Sequence, residues 1–371
     1  MEISFTKAFS PAHISLGFVP HINEKEPLKT GSRGFGICLS EGATAEVGRG
    51  KGILEYTLNG RRGDREFLGG FIKRVEAKLG RELPEKNPGF ESLKVRTVLS
   101  FPLSQGYGMS ASSLLSIALA IYAFLEREKI LSMGSKVDSL KFQERMREGF
   151  FSPETGKDVS KIFRILVESV HEYEVEMLWG LGDVVGALRG GVEIRREPGV
   201  PPHGRVEKVF FPDEGFLYTA VLGREIPTPD ILRDRSTLER IKVAYKEALK
   251  TLRGKITPKR FLGAGELFGR RSRLAPVEIL EAVERLKEEG LPSSPVMIGN
   301  TVCAYLPEER IDAIYRELEG SHRRADRSWE AIIMEELKRR LDGVLDDFPL
   351  IFSKICRVDY MGARITFTKD G

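Results

Sequence analysis

Cysteine is scarce in this sequence, and its scarcity excludes several kinds of site. The 371 residues include three cysteines, Cys38, Cys303 and Cys356, which lie far apart along the chain. A disulfide framework or a Cys-x-x-Cys metal site needs closely and regularly spaced cysteines. The sequence therefore predicts three buried or half-buried thiols.

Long apolar segments and charge of one sign are also lacking. We find no apolar run of the roughly 20 residues that a membrane span needs, and no signal-peptide core at the N-terminus. The net charge is +4, with basic and acidic residues interleaved, a pattern typical of solvated surfaces rather than of a nucleic-acid interface. We expect a cytoplasmic protein that binds neither membrane nor nucleic acid.

Glutamine and asparagine are rare as well, with two and four residues, whereas Lys, Arg and Glu are abundant. This bias resembles the composition of hyperthermophile proteins. The chain is 41% hydrophobic, enough for a sizeable core in about two lobes. Strands in the first hundred residues, followed by mixed helices and strands, favour an α+β fold.

Apolar periodicity and turn residues predict the positions of the elements. We expect strands at 3–9, 37–39, 43–47, 53–58, 95–101, 192–195, 206–211, 217–222, 301–305 and 355–359. Helices are expected at 67–79, 114–125, 158–177, 229–253, 262–273, 276–289, 310–318 and 328–345. Turns are predicted at 10–13, 29–36 and 59–60, and the charged segment 126–159 is predicted to be a helical surface insertion.

The most informative segment is a glycine-rich loop that leads into an apolar helix. Residues 102–113 read PLSQGYGMSASS. Gly106 and Gly108 have no Cβ and let the backbone approach a ligand closely. Three serines follow where the first helical N–H groups lack internal partners, and such a helix N-terminus binds anions. Phosphate is the expected ligand, and an ordinary strand-to-helix connection is the alternative.

Two common nucleotide-binding fingerprints do not fit this loop. No Gly-Lys-Ser/Thr follows its glycines, and Ala111 breaks the GxGxxG dinucleotide pattern. Its form is close to the second motif of the GHMP small-molecule kinases, Pro-x-x-x-Gly-x-Gly-x-Ser/Gly.

Polar residues interrupt the apolar stripe of the helix predicted at 158–177. Glu174 falls on the line of Val167, Val170 and Met177, and His171 shares its face. An inward carboxylate is costly unless a cation or a donor meets it, and Mg²⁺ typically takes one or two carboxylates plus phosphate oxygens. A buried His–Glu hydrogen bond, or a helix that surfaces in its last turn, is the alternative.

Two further charged residues carry potential chemistry. Asp183 is a lone charge in a glycine-flanked apolar loop, where it could cap a turn or accept the proton of a reacting hydroxyl. Arg195 lies in or beside a strand and could form a sheet-edge salt bridge or bind a substrate carboxylate through two hydrogen bonds. The residues alone leave both pairs of interpretations open.

Together with other motifs, these residues resemble the archaeal pantoate kinases of the GHMP kinase superfamily. Five motifs carry the resemblance in order, at 10–14, 31–34, 106–110, 180–184 with 190–191, and 298–302. The resemblance implies a two-lobed GHMP kinase fold with the site between the lobes. A ribosomal-protein-like ATP-binding lobe would span 1–205, and a ferredoxin-like lobe would span 206–371.

The resemblance also implies an activity, the ATP- and Mg²⁺-dependent phosphorylation of pantoate to 4-phosphopantoate in coenzyme A biosynthesis. ATP would be bound by Gly106, Tyr107, Gly108, Met109, Ser110, Ala111 and Ser112. The catalytic residues would be Asp183, Ser110 and Glu174, with Mg²⁺ on Ser110 and Glu174 and the substrate hydroxyl on Asp183. Pantoate would be bound by Ser32, His171, Arg195 and His13.

Some positions depart from the superfamily pattern. Ser110 stands where the loop usually has Gly, Ala111 replaces a common Ser or Gly, and His13 stands where several members have Lys or Arg. A mevalonate- or homoserine-type kinase, or a non-catalytic nucleic-acid-binding protein of the same fold, remains an alternative. The sequence leaves open whether the chain forms a homodimer.

Overall fold

The structure, a computed structural model, describes residues 5–80, 89–132, 161–213, 215–224, 234–319 and 328–366. The elements up to residue 132 are β1 (Thr6–His21), β2 (Gly31–Arg49), β3 (Glu55–Leu58), β4 (Arg61–Arg62), α1 (Arg65–Leu79), β5 (Leu93–Leu99) and α2 (Met109–Ser132). Those from 161 to 251 are α3 (Lys161–Met177), α4 (Asp183–Arg189), β6 (Val192–Glu197), β7 (Arg205–Val209), β8 (Phe216–Val221) and α5 (Arg235–Thr251). The remainder are α6 (Pro258–Ser272), α7 (Val277–Glu288), β9 (Ser293–Val296), β10 (Thr301–Leu306), α8 (Glu308–Glu319), α9 (Trp329–Val344), β11 (Phe352–Cys356) and β12 (Arg364–Thr366).

The strands form two sheets. The larger sheet has eight strands in the order β12-β1-β2-β5-β3-β4, and β6 pairs with both β2 and β7. The smaller sheet has four strands in the order β11-β8-β10-β9. A common hydrophobic cluster joins them, with Ile14 and Phe35 of the larger sheet beside Leu217 and Val221 of the smaller one. The mixed α+β architecture agrees with the prediction from sequence, while the division at residue 205 stays a prediction.

Strands β1 and β2 are much longer than the sequence predicts. The turns expected at 10–13 and within 31–36 are wrong, because both segments are continuous antiparallel strand. The pairing shifts between Pro11 and Ala12, at an irregularity of the kind that accommodates a proline inside a sheet. Gly34 and Gly36 lie where large side chains cross over the strand, as described below, and therefore do not mark a turn.

Most other predicted elements are confirmed within the described residues. The turn at 59–60 joins β3 to β4 with both residues at positive φ, +50° for Asn59 and +76° for Gly60, as hairpin turns require. Strand β9 was not predicted from the sequence. Of the predicted segments, residues 3–4, 133–160 and 229–233 lie outside the described residues.

Helix α2 packs against β1 and β2 of the larger sheet and belongs to its hydrophobic core. Its segment Met109–Glu128 is long and apolar enough to span a membrane, so the prediction that no such run exists is wrong. However, 94% of this window is buried inside the protein, and a helix that is apolar all round is typical of a protein core. The three cysteines are free and buried, as predicted.

Candidate active site

A cleft of about 400 Å³ opens between the glycine-rich loop and the loop that precedes α4. Most of residues 103–110 line one side, and residues 179–183 line another. Ser15 and Ser32, from β1 and β2, contribute polar groups, and Met297 and Ile298 come from the turn between β9 and β10. The cleft therefore collects four of the five motifs singled out in the sequence.

The glycine-rich loop adopts the backbone conformation that its glycines permit. Gly106 and Gly108 have φ values of +81° and +58°, in the region that L-residues rarely adopt. Tyr107 anchors the loop, because its ring stacks on Phe101 at a centroid distance of 4.5 Å. The loop ends at the first turn of α2, whose N–H groups are available to an anion.

The seven residues predicted to bind ATP fall into two groups. Gly106, Tyr107, Gly108, Met109 and Ser110 line the cleft. Ala111 and Ser112 are fully buried behind it, and the Ser112 hydroxyl donates to the Pro11 carbonyl at 2.7 Å. Their side chains therefore brace the loop against β1.

The turn between β9 and β10 of the smaller sheet contacts the glycine-rich loop and fixes its position. The Thr301 hydroxyl donates to the Gln105 carbonyl at 2.7 Å, and the Gln105 amide donates to the Gly223 carbonyl at 3.1 Å. A Cβ at Gly299 would lie 2.3 Å from the Gln105 carbonyl oxygen, so only glycine fits there. The motif at 298–302 thus positions the loop. Sequence reasoning missed Gln105, although it is one of only two glutamines.

Glu174 and Ser110 meet as the sequence predicts. The Ser110 hydroxyl donates to Glu174 Oε2 at 3.2 Å. Glu174 is 1% exposed, and its other oxygen, Oε1, is buried without a partner. Burial, reinforced by the nearby Asp183 carboxylate, raises the pKa of Glu174 to about 8. A buried, incompletely satisfied carboxylate of this kind is suited to a cation.

His171 does not share this environment. Its Nε2 lies 2.8 Å from the Thr30 carbonyl, and burial lowers the pKa of its imidazole. The predicted His171–Glu174 hydrogen bond is absent from the contacts of these two described residues, and His171 is not part of the cleft lining. Its proposed role in substrate binding stays a prediction.

Asp183 lies at the start of α4 and faces the cleft, with 21% of its side chain exposed. Its Oδ1 is 2.7 Å from Nδ1 of His13. The carboxylate therefore has one oxygen engaged with a buried histidine. Its exposed fraction remains available to a ligand in the cleft.

His13 and Arg195 lie behind the cleft rather than in its lining. Both are buried, and the Arg195 guanidinium forms an ion pair with Glu193 and donates to Ser15 Oγ at 3.2 Å. The salt bridge with Glu193 agrees with the structural alternative for Arg195, but strand β6 lies between β2 and β7, so the salt bridge is not at a sheet edge. Its Nε is buried without a partner and lies close to Gly182, on the cleft wall.

Sequence reasoning missed two features of the site. Glu193 is fully buried, and its spacing of two from Arg195 on one strand, which places both on the same face, is a signal that could have identified it. The second feature is an aromatic end of the cleft formed by Tyr56, Phe67 and Trp179. Phe67 lies against Trp179 with ring centroids 5.5 Å apart.

Comparison with known proteins identifies relatives that cover most of the chain, although no family model matches it. The pantoate kinase of Thermococcus kodakarensis is 31% identical over 311 residues, covering 82% of this chain and 89% of the relative. That of Methanocaldococcus jannaschii is 25% identical, covering 82% and 94%.

Solved structures agree with this relationship. A phosphotransferase related to the CoA biosynthesis pathway is 26% identical, with a TM-score of 0.68 and coverage of 98% of this chain and 99% of that chain. Mevalonate diphosphate decarboxylase from Staphylococcus aureus, 13% identical with coverage of 98% of both chains, has a TM-score of 0.60 and shows the shared GHMP kinase fold alone. Because a pantoate kinase is 31% identical over 82% of this chain, and the fold is shared, the chain belongs to the pantoate kinase family.

Proposed function

We propose that this protein transfers the γ-phosphoryl group of ATP to the terminal hydroxyl of pantoate, giving 4-phosphopantoate and ADP. One observation carries the proposal. The glycine-rich loop at the start of α2 and the Asp183 carboxylate line a single cleft. Phosphoryl transfer needs little more than an anchored phosphate chain and an oriented hydroxyl.

ATP binds along the glycine-rich loop and α2. The phosphates lie against the N–H groups at the helix start, where the helix dipole favours negative charge. The adenine base packs in the aromatic end of the cleft, against Tyr56, Phe67 and Trp179. These rings offer a flat apolar surface to the base, whereas the loop offers polar groups to the phosphates.

Mg²⁺ fits the pair formed by Ser110 and Glu174. Both supply oxygen donors, which Mg²⁺ prefers, and the buried Oε1 of Glu174 has no protein partner. The described residues contain no cluster of three or more His, Cys, Asp or Glu that would hold a metal alone. A site of one carboxylate and one hydroxyl suits a cation that also takes phosphate oxygens. When bound, Mg²⁺ neutralises charge on the phosphate chain.

Pantoate binds at the serine-lined end of the cleft. Ser32 donates to its carboxylate, and Arg195, directly behind Gly182, adds positive charge to that wall. Asp183 accepts a hydrogen bond from the terminal hydroxyl. The hydroxyl oxygen attacks the γ-phosphorus, the bond to the ADP oxygen breaks, and the hydroxyl proton passes to Asp183.

ADP release by the purified protein tests this proposal. The protein is given Mg-ATP with pantoate, mevalonate or homoserine in parallel, because proteins acting on related substrates share the fold. We expect release with pantoate alone, and phosphorus NMR of the product identifies a phosphomonoester. Release with either other acid, or with none, contradicts the proposal.

A further inference from the structure

Asp183 and three ionisable side chains behind it form a continuous row. His13 Nδ1 lies 2.7 Å from Asp183 Oδ1, and His13 Nε2 lies 3.0 Å from Glu193 Oε1. Arg195 Nη1 pairs with the same Glu193 oxygen. His13 and Glu193 are wholly buried, and Arg195 is 2% exposed. The row therefore runs from the cleft into the interior of the larger sheet.

The sheet register explains how these side chains meet. His13 is on β1 and Glu193 is on β6, and β2 lies between them. Glu193 is paired with Gly36 of β2. A Cβ at Gly36 would lie 2.6 Å from His13 Nε2 and 3.0 Å from Glu193 Oε1. The two side chains therefore join across β2 at a position where only glycine leaves room.

The same arrangement repeats two residues along the strand. Gly34 is paired with Arg195, and a Cβ at Gly34 would lie 2.2 Å from Arg195 Nη2. Gly34 and Gly36, at alternate positions of β2, thus leave the space in which three charged side chains meet. This arrangement does not improve apolar packing, because buried charges occupy the space that apolar side chains would otherwise fill.

The partners of His13 determine where its protons lie. An ionised carboxylate can only accept a hydrogen bond, so Nδ1 must carry the proton shared with Asp183. Nε2 lies 3.0 Å from Glu193 Oε1 and 3.1 Å from Arg195 Nη1. Because Arg195 Nη1 already donates to that Glu193 oxygen, the carboxylate is the acceptor that Nε2–H meets. With both nitrogens protonated, the row contains two positive charges, on His13 and Arg195, and two negative charges, on Asp183 and Glu193. The buried charge is then balanced.

No other described group upsets this balance. Cys38, the register partner of His13 on β2, is fully buried, and burial raises the pKa of its thiol, so the thiol is neutral. Glu174, on α3, faces Asp183 rather than His13. Burial and the positive charge of Arg195 lower the pKa of His13, but the hydrogen bonds to Asp183 and Glu193 outweigh both and raise it.

We infer that Glu193 is a positioning residue for phosphoryl transfer: it holds His13 as the imidazolium that donates Nδ1–H to Asp183, which orients the carboxylate toward the substrate hydroxyl. Arg195 completes the row by compensating the Glu193 charge. This inference rests on the proposed function for its kinetic consequence. The arrangement of His13 itself is independent of the substrate.

The inference has a chemical consequence for Asp183. One of its oxygens is fixed by His13, so the other takes the substrate hydroxyl. As the new O–P bond forms and the bond to ADP breaks, the hydroxyl proton passes to that free oxygen. The imidazolium keeps its own proton throughout and stabilises the carboxylate in one orientation.

Glu193→Gln tests the inference, with Glu197→Gln as the matched control on the same strand. Glu197 is exposed and pairs with Arg205. The five histidines are labelled with carbon-13, and His13 is identified by its loss in His13→Asn. We expect the pKa of His13 to lie above its ordinary value in the unmodified protein and in Glu197→Gln, and to be lower in Glu193→Gln.

The kinetic readout uses the same three proteins. We expect Glu193→Gln to lower kcat roughly 10²-fold at pH 8, with an unchanged KM for ATP and partial recovery of kcat at lower pH. A merely structural role would lower the active fraction equally at every pH. An unchanged His13 titration in Glu193→Gln, or a kcat equal to that of Glu197→Gln, overturns the inference.

If Glu193→Gln does not fold, the titration of His13 in the unmodified protein tests the inference. A neutral His13 at pH 7 in the folded wild type overturns the inference, and an imidazolium supports it. If ADP release fails with every acid, the proposed function falls, while the histidine titration still tests whether Glu193 holds His13 protonated.

Discussion

Two buried carboxylates lie on either side of Asp183, and they differ in how their charge is compensated. Glu193 meets Arg195 and His13 through Oε1, so its charge is compensated within the protein, although its Oε2 is buried without a partner. Glu174 meets only the Ser110 hydroxyl, and its Oε1 has no partner. A compensated carboxylate stabilises the architecture around it, whereas an uncompensated one is maintained at a cost to stability. The contrast separates the residue that supports the site from the residue that receives a ligand.

Asp183 lies between the two carboxylates, and its replacement should have the largest effect on catalytic activity. Asp183→Asn keeps the shape but removes the charge that His13 orients and that accepts the hydroxyl proton. We expect kcat to fall roughly 10³-fold with little change in ATP affinity, measured by initial rates and by nucleotide binding. A rate within about threefold of the wild type would remove Asp183 from the reaction.

Arg195→Met tests the compensated carboxylate, Glu193. It removes the cation that faces Glu193 and leaves a buried charge uncompensated, which typically costs about 3 kcal/mol or more. Urea unfolding at pH 7 measures the loss, with Arg196→Met as the control, because its partially exposed side chain pairs with Glu207 at the surface. Equal stability of the two variants would show that the buried row contributes no more than a surface pair.

Glu174→Gln tests the uncompensated carboxylate. We expect it to raise the free energy of unfolding, whereas Arg195→Met lowers it. Since the pKa of Glu174 is raised from 4.5 to about 8, the folded state binds the proton more tightly than the unfolded state. Its contribution to stability is complete below pH 4.5 and is lost as the pH rises to 8. The amide removes this loss, so we expect a gain on the order of 2 kcal/mol at pH 8 in metal-free buffer.

The same variant should lose activity, because the carboxylate for Mg²⁺ is gone. Urea unfolding at pH 5 and pH 8 measures the stability change, and initial rates across a Mg²⁺ titration measure the function. A Glu174→Gln variant that is less stable at pH 8, or fully active at ordinary Mg²⁺, would show that Glu174 is structural. The two buried carboxylates would then not differ as their contacts suggest.

These contrasts also show what the sequence could predict. Glu174 was identifiable because one helix carries it on an apolar stripe, and Ser110 and Asp183 were identifiable because local glycine-rich motifs surround them. The spacing of Glu193 and Arg195 on one strand could have indicated that they share a face, but the contact of Glu193 with His13 could not be predicted, because it depends on the pairing of β1, β2 and β6. Pairing of strands far apart in sequence is not encoded in any local pattern.

The predicted turns failed for a related reason. Gly34 and Gly36 suggested a turn, since glycine commonly marks one. In the fold they are strand residues without side chains, and the space is filled by Arg195, His13 and Glu193. Local reasoning cannot distinguish a glycine needed for its conformation from a glycine needed for its missing side chain.

Asp64 is an exposed carboxylate that lines the same cleft, and it serves as a reference for the two buried carboxylates. Its side chain caps α1, accepting from the N–H groups of Glu66 at 2.8 Å and Phe67 at 3.3 Å. Asp64→Ala should cost about 1 kcal/mol, and Asp64→Asn only a few tenths, because an amide oxygen also caps a helix. Urea unfolding measures both changes. A loss for Asp64→Asn as large as for Arg195→Met would mean that charge in this cleft matters regardless of burial. The distinction between Glu174 and Glu193 would then rest on the cleft's overall field rather than on the contacts of each residue.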